Sequence, residues 1–372
     1  MSGPLSGVRV LDLTSVVSGP HAAMILADQG ADVIKVESPE GDIMRHGSMT
    51  PGFVSSNRGK RSIVLDLKRK DALAILRKLI AASDVLVQNF RPGVAERLGF
   101  GEPEARKLNP GIVYVSISGV GEIGPYVRKR VYDPVIQALS GLADIQRDTD
   151  TGRPRMVRTL IADKTTALAA AQAICAALYN KAVRGEGQHV RLSMLDTMVA
   201  YLWPEGLGDL TMVDQPDPGA RPASGPDLVF KTLDGYITAG ALSDAEWRGM
   251  CTVLNRPELI DDSRFRTGAL RSANAAERLT LVGEVFATGH AADWLAKLDA
   301  AQVPCAPVLT RQELLSDPQI AANSLIVEFD QPGLGRVRQA RPAARFDRTP
   351  SQAPRPAPGL GEHTAAILAE LA

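Results

Sequence analysis

The fold of this chain is predicted by residues 8–37, VRVLDLTSVVSGPHAAMILADQGADVIKVE. Residues 8–13 have the apolar character of a buried strand, residues 21–29 are helical, and residues 32–36 form a second apolar strand. A strand, a helix and a strand in this order make up the repeating unit of a parallel sheet. The segment therefore predicts an α/β fold.

The same alternation continues downstream. Proline, charged and small residues separate further apolar segments, so that strands are predicted at 62–67, 85–89 and 112–118 and helices at 70–81, 92–97 and 103–108. We expect a Rossmann-like, doubly wound parallel sheet.

A dinucleotide is not the expected ligand of this sheet. Glu37 follows the second strand, where an acid that binds a ribose would lie. The loop before the first helix, however, has a single glycine, Gly19, where the G-x-G-x-x-G motif brings the backbone close to a pyrophosphate. A nicotinamide oxidoreductase therefore stays the less favoured alternative, which saturable binding of NAD would reveal.

Composition excludes several classes of protein. The 372 residues carry 42 basic and 42 acidic side chains, so a general nucleic-acid or membrane surface is not expected. The three cysteines lack metal-ligand spacing, which suits a reduced cytoplasmic protein without a metal site. The first residues have no basic-then-apolar pattern of a secretory signal, and no apolar run is long enough to span a bilayer.

A second informative segment is residues 159–196, in which Asp163 precedes an Ala-rich helix, a Gly-Glu-Gly-Gln turn and a predicted strand. Two interpretations of Asp163 are open. It could be the N-cap of the helix, accepting a hydrogen bond from an amide of the first turn. It could instead be a nucleophilic carboxylate held at the positive end of the helix.

The ordered motifs of the chain resemble the family III CoA-transferases, the group of formyl-CoA transferase and carnitine CoA-transferase (the CaiB/BaiF family). The matching stretches are GADVIKVE at 30–37, NRGKRS at 57–62, LDLK at 65–68, NFRPG at 89–93, Asp163 before its helix, GEGQ at 185–188 and SMLD at 193–196.

This resemblance implies a Rossmann-like larger domain, a smaller α+β domain and an interlocked homodimer. It implies that Asp163 and Tyr132 are the catalytic residues, with Asp163 as the nucleophile and Tyr132 in the lining of the acyl site. Coenzyme A is implied as a substrate and not as a tightly bound cofactor, in contact with Val17, Leu65, Lys68, Asn89, Phe90, Arg91, Arg97, Arg130 and Asp133. Two positions depart from formyl-CoA transferase, since Val17 replaces a glutamine and Ser38 an arginine.

The implied reaction moves CoA from an acyl-CoA donor to a small carboxylic acid through an aspartyl anhydride and an aspartyl-CoA thioester. An ionised carboxylate needs no general base, so a Ser-His or Cys-His pair is not required. Arg128–Arg130 could attract the second carboxylate of a dicarboxylic acid such as succinate or mesaconate, although a solvated surface explains these cations equally well.

Tyr132 bears on the main alternative, an isomerase that resembles the α-methylacyl-CoA racemases. Those enzymes share the architecture but carry a histidine at this position, since proton exchange next to a thioester needs a group that titrates near neutrality. A phenol has too high a pKa. Acyl transfer is therefore favoured over racemisation, and a non-catalytic acyl-CoA binding protein is the third alternative.

Domain limits follow from composition. Residues 215–227 are rich in proline, glycine and aspartate, which is typical of a linker. A hairpin is predicted around Asp234-Gly235, with helices at 243–254, 275–288 and 292–300. We expect a larger domain at 1–205, a linker at 206–227, a smaller domain at 228–302 and a return to the larger domain at 303–372.

Overall fold

The computed structural model describes residues 3–148, 150–211, 213–214 and 225–372. Its internal contacts divide these residues into two units. The larger unit comprises the described residues up to 214 together with Ser324–Ala372, and the smaller unit comprises the described residues from 225 to Asn323.

A six-stranded parallel sheet forms the centre of the larger unit. Its strands are β1 (Arg9–Asp12), β2 (Asp32–Glu37), β3 (Arg61–Val64), β4 (Val85–Gln88), β5 (Val113–Ser118) and β6 (His189–Ser193). They lie in the order β3-β2-β1-β4-β5-β6, and every neighbouring pair is parallel. This is the order of a doubly wound sheet, in which the direction of winding reverses between β1 and β4. The predicted parallel α/β fold is confirmed.

Helices cover both faces of this sheet. They are α1 (Ser18–Asp28), α2 (Thr50–Asn57), α3 (Lys70–Ala81), α4 (Val94–Arg97), α5 (Glu102–Leu108), α6 (Asp133–Leu139), α7 (Leu142–Ile145), α8 (Ile161–Arg184) and α9 (Met194–Leu202). Short 3-10 helices occur at Ile43–Arg45, Gly47–Met49, Gly208–Thr211, Pro257–Leu259 and Glu313–Ser316.

The helices α1 and α8 lie side by side on one face. Their contact is built from alanines, among them Ala22, Ala23, Ala167 and Ala170, all completely buried against the valines of the sheet. Small side chains let two helix backbones approach closely, because little side-chain volume separates them. The Ala-rich composition of α8 therefore fixes its position next to α1, and the helix ends where Gly185 adopts a left-handed conformation with φ 77°.

The chain returns to this sheet at its carboxyl end. Helix α15 (Thr364–Glu370) packs against the opposite face through Ile367, next to α3. The amide of His363 donates to the carbonyl of Ser62 at 2.9 Å, and Arg61 pairs with Glu370. These contacts tie the last residues of the chain to the larger unit.

The larger unit also contains a hairpin that the sequence analysis did not predict. Strands β10 (Ile326–Gln331) and β11 (Gly335–Ala340) pair in antiparallel register. The side-chain amide of Gln331 donates to the carbonyl of Ala357 at 2.9 Å, which ties the hairpin to the following segment.

The smaller unit is a three-stranded antiparallel sheet with helices. The strands are β7 (Val229–Lys231), β8 (Tyr236–Ala239) and β9 (Cys305–Pro307), and the helices are α10 (Asp244–Val253), α11 (Gly268–Ala273), α12 (Ala275–Phe286), α13 (Ala291–Ala300) and α14 (Pro318–Ala322). The hairpin predicted around Asp234-Gly235 is present. Because β9 pairs with β8, the smaller unit continues beyond the predicted limit at residue 302. Residues 215–224 of the predicted linker lie outside the described residues.

In the described part of the chain, no helix combines the length and the apolar character that crossing a membrane requires. All three cysteines are free thiols, and Cys251 is completely buried.

Beneath α1 lies a group of buried ion pairs. Lys60 Nζ contacts Asp12 Oδ2 at 2.8 Å, and both side chains are inaccessible to solvent. The remaining protons of this ammonium go to the carbonyl of Pro20 and the side-chain oxygen of Asn57, each at 2.8 Å. Burial alone would raise the pKa of Asp12, but the charges of Lys60 and Lys35 lower it overall. The cations of residues 57–62 thus pair within the protein.

We expect that Asp12→Ala lowers the free energy of unfolding by about 3–5 kcal/mol, because it leaves the buried ammonium of Lys60 without a counter-ion. Urea unfolding followed by circular dichroism measures this. The matched control is Glu122→Ala, which breaks an exposed pair with Arg191 at 3.1 Å and should leave the unfolding midpoint unchanged. The double variant Asp12→Ala/Lys60→Met should lose less than Asp12→Ala alone; an equal or larger loss would contradict this explanation.

Candidate active site

A cavity of about 380 Å³ lies where the winding of the parallel sheet reverses. Its walls come from the loops that follow β1, β4 and β5, together with residues 127–132 and the first turn of α8. Ligands of open parallel sheets bind in this crevice, beyond the carboxyl ends of the strands. The cavity is therefore the candidate site.

Six of the residues singled out in the sequence line this cavity. They are Asn89, Phe90, Arg91, Arg130, Tyr132 and Asp163. They come from three separate segments of the chain, which the sheet topology brings together.

The other five do not line it. Val17 is buried next to Met44 and Phe53, and Leu65 belongs to the apolar core on the opposite face of the sheet, so neither side chain faces the cavity. Lys68 and Arg97 are exposed elsewhere on the surface. Asp133 is buried behind the cavity wall. Their predicted contacts with coenzyme A stay predictions.

Asp163 is not the N-cap of its helix, so that interpretation was wrong. The helix α8 begins at Ile161 after Leu160, which places Asp163 at the third helical position. Ser18 lines the same cavity, and hydrogen bonding from its main-chain amide and hydroxyl acts to lower the pKa of this carboxylate. Ser18 is the first residue of α1, where the main-chain amides have no partner within the helix. Two helix starts therefore converge on one carboxylate.

Asp133 has the capping role that the sequence had suggested for Asp163. Its Oδ2 accepts from the main-chain amide of Asp163 at 3.0 Å, and its Oδ1 accepts from Gln137 Nε2 at 2.6 Å. Gln137 in turn accepts from the amide of Val157 at 2.9 Å. With both oxygens occupied and 1% of its surface exposed, Asp133 holds the first turn of α8 in place.

The surroundings of Asp163 make its carboxylate a weaker acid than usual. Burial and repulsion from Asp133 raise its pKa to about 6, although the hydrogen bonds from Ser18 act in the opposite direction. Only 8% of the residue is exposed. At pH ~7 a group of this pKa is roughly 90% ionised, so it can act as a nucleophile but is poorly solvated.

Cations line the same cavity as this carboxylate. Arg91, Lys129 and Arg130 line the wall, and in the described part of the structure neither arginine forms an ion pair. The ammonium of Lys129 lies 5.5 Å from the centre of the Tyr126 ring. Guanidinium groups without a protein partner suit carboxylate or phosphate oxygens of a ligand.

Close packing shapes the loop after β5. A side chain at Gly119 would lie 1.9 Å from the side chain of Val131, so only glycine allows the two cavity segments to approach each other. The amide of Gly121 donates to Ser118 Oγ at 3.0 Å. This loop is therefore held in place before any ligand binds.

The loop after β1 contains residues that the sequence analysis did not single out. Ser15, Val16 and Ser18 line the cavity, and Val16 has a left-handed backbone with φ 72°. Asn89 binds Ser15 through both its side-chain atoms, at 3.0 and 2.8 Å. The only sequence signal for these residues was their place after the first strand of a parallel sheet.

Proton-transfer and metal-binding groups are sparse around this cavity. None of the five histidines, all of which lie in the described residues, belongs to its lining. Within those same residues no group of three potential metal ligands comes together. The ionisable groups of the wall are Asp163, the three cations and Tyr132.

Comparisons with known proteins agree with this geometry. A family model described as CoA-transferase family III matches residues 5–364. The chain is 35% identical to a succinate–glutarate CoA-transferase of Agrobacterium fabrum over 99% of this chain and 96% of that one. It is 35% identical to human succinyl-CoA:glutarate CoA-transferase, over 99% and 86% of the two chains. A crystal structure of a CaiB/BaiF family protein from Brucella suis superposes with a TM-score of 0.86 at 33% identity and covers 100% of both chains.

We expect two substitutions to move the pKa of Asp163 in opposite directions. Ser18→Ala should raise it, because a hydrogen bond to the charged form is lost, and Asp133→Asn should lower it, because a repelling charge is removed. Trypsin releases residues 159–164, TLIADK, in which Asp163 is the sole acidic side chain. Carbodiimide labelling of this peptide as a function of pH, quantified by mass spectrometry, gives the midpoint; shifts of the same sign would refute the assignment.

Proposed function

Because the chain belongs to CoA-transferase family III, we propose that it moves CoA from an acyl-CoA donor to a carboxylic acid, with Asp163 as the covalent nucleophile. The observation that carries this proposal is the position of Asp163. Asp163 lies in the wall of a cavity that two unpaired arginines also line, at the start of α8 and almost buried.

In the first step the ionised carboxylate of Asp163 attacks the thioester carbonyl of the acyl-CoA. The carbon–sulfur bond breaks, a mixed anhydride of Asp163 and the acyl group forms, and CoA leaves as the thiolate. No proton has to be removed from the nucleophile. A pKa of about 6 keeps the carboxylate mostly ionised at pH ~7.

In the second step the CoA thiolate attacks the aspartyl carbonyl of the anhydride. The first carboxylic acid leaves as its anion, and Asp163 becomes a thioester of CoA. The acceptor carboxylate attacks this thioester carbonyl and gives a new anhydride and the thiolate again. The thiolate then attacks the acceptor's acyl carbon, which releases the product acyl-CoA and restores Asp163.

Ser18 supplies donors for the charge that develops on the aspartyl group. Ser18 lines the cavity together with Asp163, and its amide and hydroxyl act on the pKa of that carboxylate, so they are the donors that we assign to the oxyanion formed when the aspartyl carbonyl is attacked. The amide belongs to a helix start, whose partial positive charge favours that oxyanion.

The unpaired cations fit the charged parts of the substrates. Arg91, next to Phe90 and Asn89, is the arginine that we assign to the phosphates of CoA. Arg130 and Lys129 lie on the segment that also brings Tyr132 to the cavity, and we assign them to the second carboxylate of a dicarboxylic acid. The relatives named for succinate and glutarate favour acids of this length.

Tyr132 is 70% exposed and lines the cavity, which suits a contact with the acyl group. We assign it no proton transfer. A racemase would need a second group able to exchange the α-proton with solvent. The described lining of the cavity contains no histidine for that task.

A homodimer fits the surface of α8. Leu168, Tyr179 and Val183 lie along its outer side with 61%, 73% and 64% of their surfaces exposed. Apolar side chains at helical spacing on an exposed face are typical of a surface that another chain covers. We propose that a second copy covers it, in the interlocked arrangement that the family resemblance implies.

We expect Asp163→Ala to abolish CoA transfer, because no other carboxylate lines the described cavity. In the parent enzyme kcat/KM should rise with pH through about 6 as Asp163 ionises. Hydroxylamine added during turnover should modify the peptide at residues 159–164. Retention of more than a few per cent of the activity in Asp163→Ala would exclude this nucleophile. Incorporation of deuterium from D₂O at the α-carbon of a 2-methylacyl-CoA, without any acceptor acid, would indicate a racemase instead.

We expect Arg130→Gln to lower kcat/KM for succinate or glutarate as acceptor about tenfold or more and to affect acetate much less, because a charge-assisted contact to the distal carboxylate is lost. Arg128→Gln is the matched control, since Arg128 is exposed and does not line the cavity. The measurement is the rate of CoA exchange between succinyl-CoA and each acid. An equal loss for both acids would assign Arg130 to coenzyme A.

A further inference from the structure

The backbone of Val16 is the most unusual feature of the candidate site. Its φ of 72° is left-handed, and of the non-glycine residues with such a conformation in the described structure, Val16 is the one with a β-branched side chain. Such a side chain disfavours this region strongly, since its branched carbon crowds the neighbouring carbonyl. The surrounding structure must therefore hold Val16 in place.

A buried ion pair lies directly behind this residue. Both carboxylate oxygens of Asp42 accept from the main-chain amide of Val16, at 3.3 and 3.4 Å. Lys35 Nζ lies 3.2 Å from Asp42 Oδ2 and donates to the carbonyl of Thr14 at 2.9 Å. The ion pair therefore binds the main chain on both sides of Ser15, through the carbonyl of the residue before it and the amide of the residue after it.

Asp42 is itself fixed. Its Oδ1 accepts from the amide of Met44 at 3.0 Å, and its own amide donates to Glu37 Oε1 at 3.2 Å. The exposed fraction is 4% for Asp42 and 0% for Lys35, and neither side chain lines the cavity. Any effect of the pair on chemistry must therefore pass through the loop.

The other side of the loop is held by Asn89, which binds the amide and the carbonyl of Ser15. Immediately after the held segment, α1 begins with Ser18, which lines the cavity together with Asp163 and whose amide and hydroxyl act to lower the pKa of that carboxylate. The direction of that amide depends on the backbone of the two residues before it.

We propose that Asp42, paired with Lys35, is a positioning residue for the transfer reaction: it holds Val16 in the left-handed conformation and so keeps Ser18 directed at Asp163. This inference rests on the proposed function. A buried ion pair contributes little net stability compared with apolar residues of the same size, because both ions lose their hydration. Its value here is the geometry that it imposes on the loop.

The test uses Asp42→Ala alone and combined with Val16→Gly. Asp42→Ala should lower kcat about tenfold or more, with a much smaller change in KM for the acyl-CoA, because the nucleophile and its donors are misaligned. The labelling midpoint, which is the pH at which carbodiimide labelling of Asp163 is half complete, should rise, since hydrogen bonding from Ser18 weakens. Adding Val16→Gly should restore at least about threefold of the lost kcat, because glycine adopts a positive φ without an anchor.

The matched control is Asp28→Asn, which alters another buried pair, with Arg58 at 2.6 Å, away from the loop. It should leave kcat and the midpoint unchanged. A folded Asp42→Ala variant with the parent's kcat and midpoint would overturn the proposal, and so would a loss that Val16→Gly does not recover. If Asp42→Ala does not fold, Asp42→Asn decides in its place: it should lower kcat and raise the midpoint, and parental values of both would overturn the proposal.

The labelling midpoint needs no turnover, which separates the two hypotheses. If the parent protein transfers CoA to no acid, the proposed function fails. An upward shift of the Asp163 midpoint in Asp42→Ala would still support the link from Asp42 to Ser18.

Discussion

The candidate site depends on the burial of one carboxylate between two helix starts. Asp163 lies at the third position of α8, and the amide and hydroxyl of Ser18, the first residue of α1, act to lower its pKa. Burial makes the charged form costly, whereas the two helix starts and the hydrogen bonds from Ser18 partly compensate that cost. The resulting pKa of about 6 is a compromise between reactivity and ionisation. A more exposed carboxylate would be charged but strongly solvated, and one without donors would be neutral.

This arrangement needs the two helices to be close together, which explains the composition of α8. The contact with α1 consists of alanines on both helices, and bulkier side chains would separate the helix axes. Asp133 then fixes the position of the first turn of α8, because its carboxylate accepts a hydrogen bond from the main-chain amide of Asp163. It also repels the charge that it positions. One buried acid therefore determines both the place and the acidity of another.

Sequence patterns predicted the parts of the structure in which side-chain burial follows the chain. Helix α3 has the predicted limits, and the parallel strands were found because both of their faces are apolar. The hairpin of β10 and β11 was missed because half of its side chains are exposed and its two buried residues, Gln331 and Gln339, are polar. In the site, Asp163 was found through its family motif. Ser18 and Asp42 were not, because their roles depend on contacts between segments that are distant in the sequence. The interpretation of Asp163 as an N-cap failed for the same reason, since the actual acceptor, Asp133, comes from another helix.

Several costly features gather at the point where the sheet winding reverses. They are a carboxylate of raised pKa, a left-handed valine and two completely buried lysines with their acids. None of them is explained by stability, because apolar residues would fill the same space at less cost. All of them act on the same short loop or on the carboxylate that it faces. Lys60 donates to the carbonyl of Pro20, and Asp12 accepts from the amide of Thr14. Lys35 donates to the carbonyl of Thr14, and Asp42 accepts from the amide of Val16, so that the residues on both sides of Ser15 are bound. The buried charges therefore serve the placement of main-chain groups on this loop.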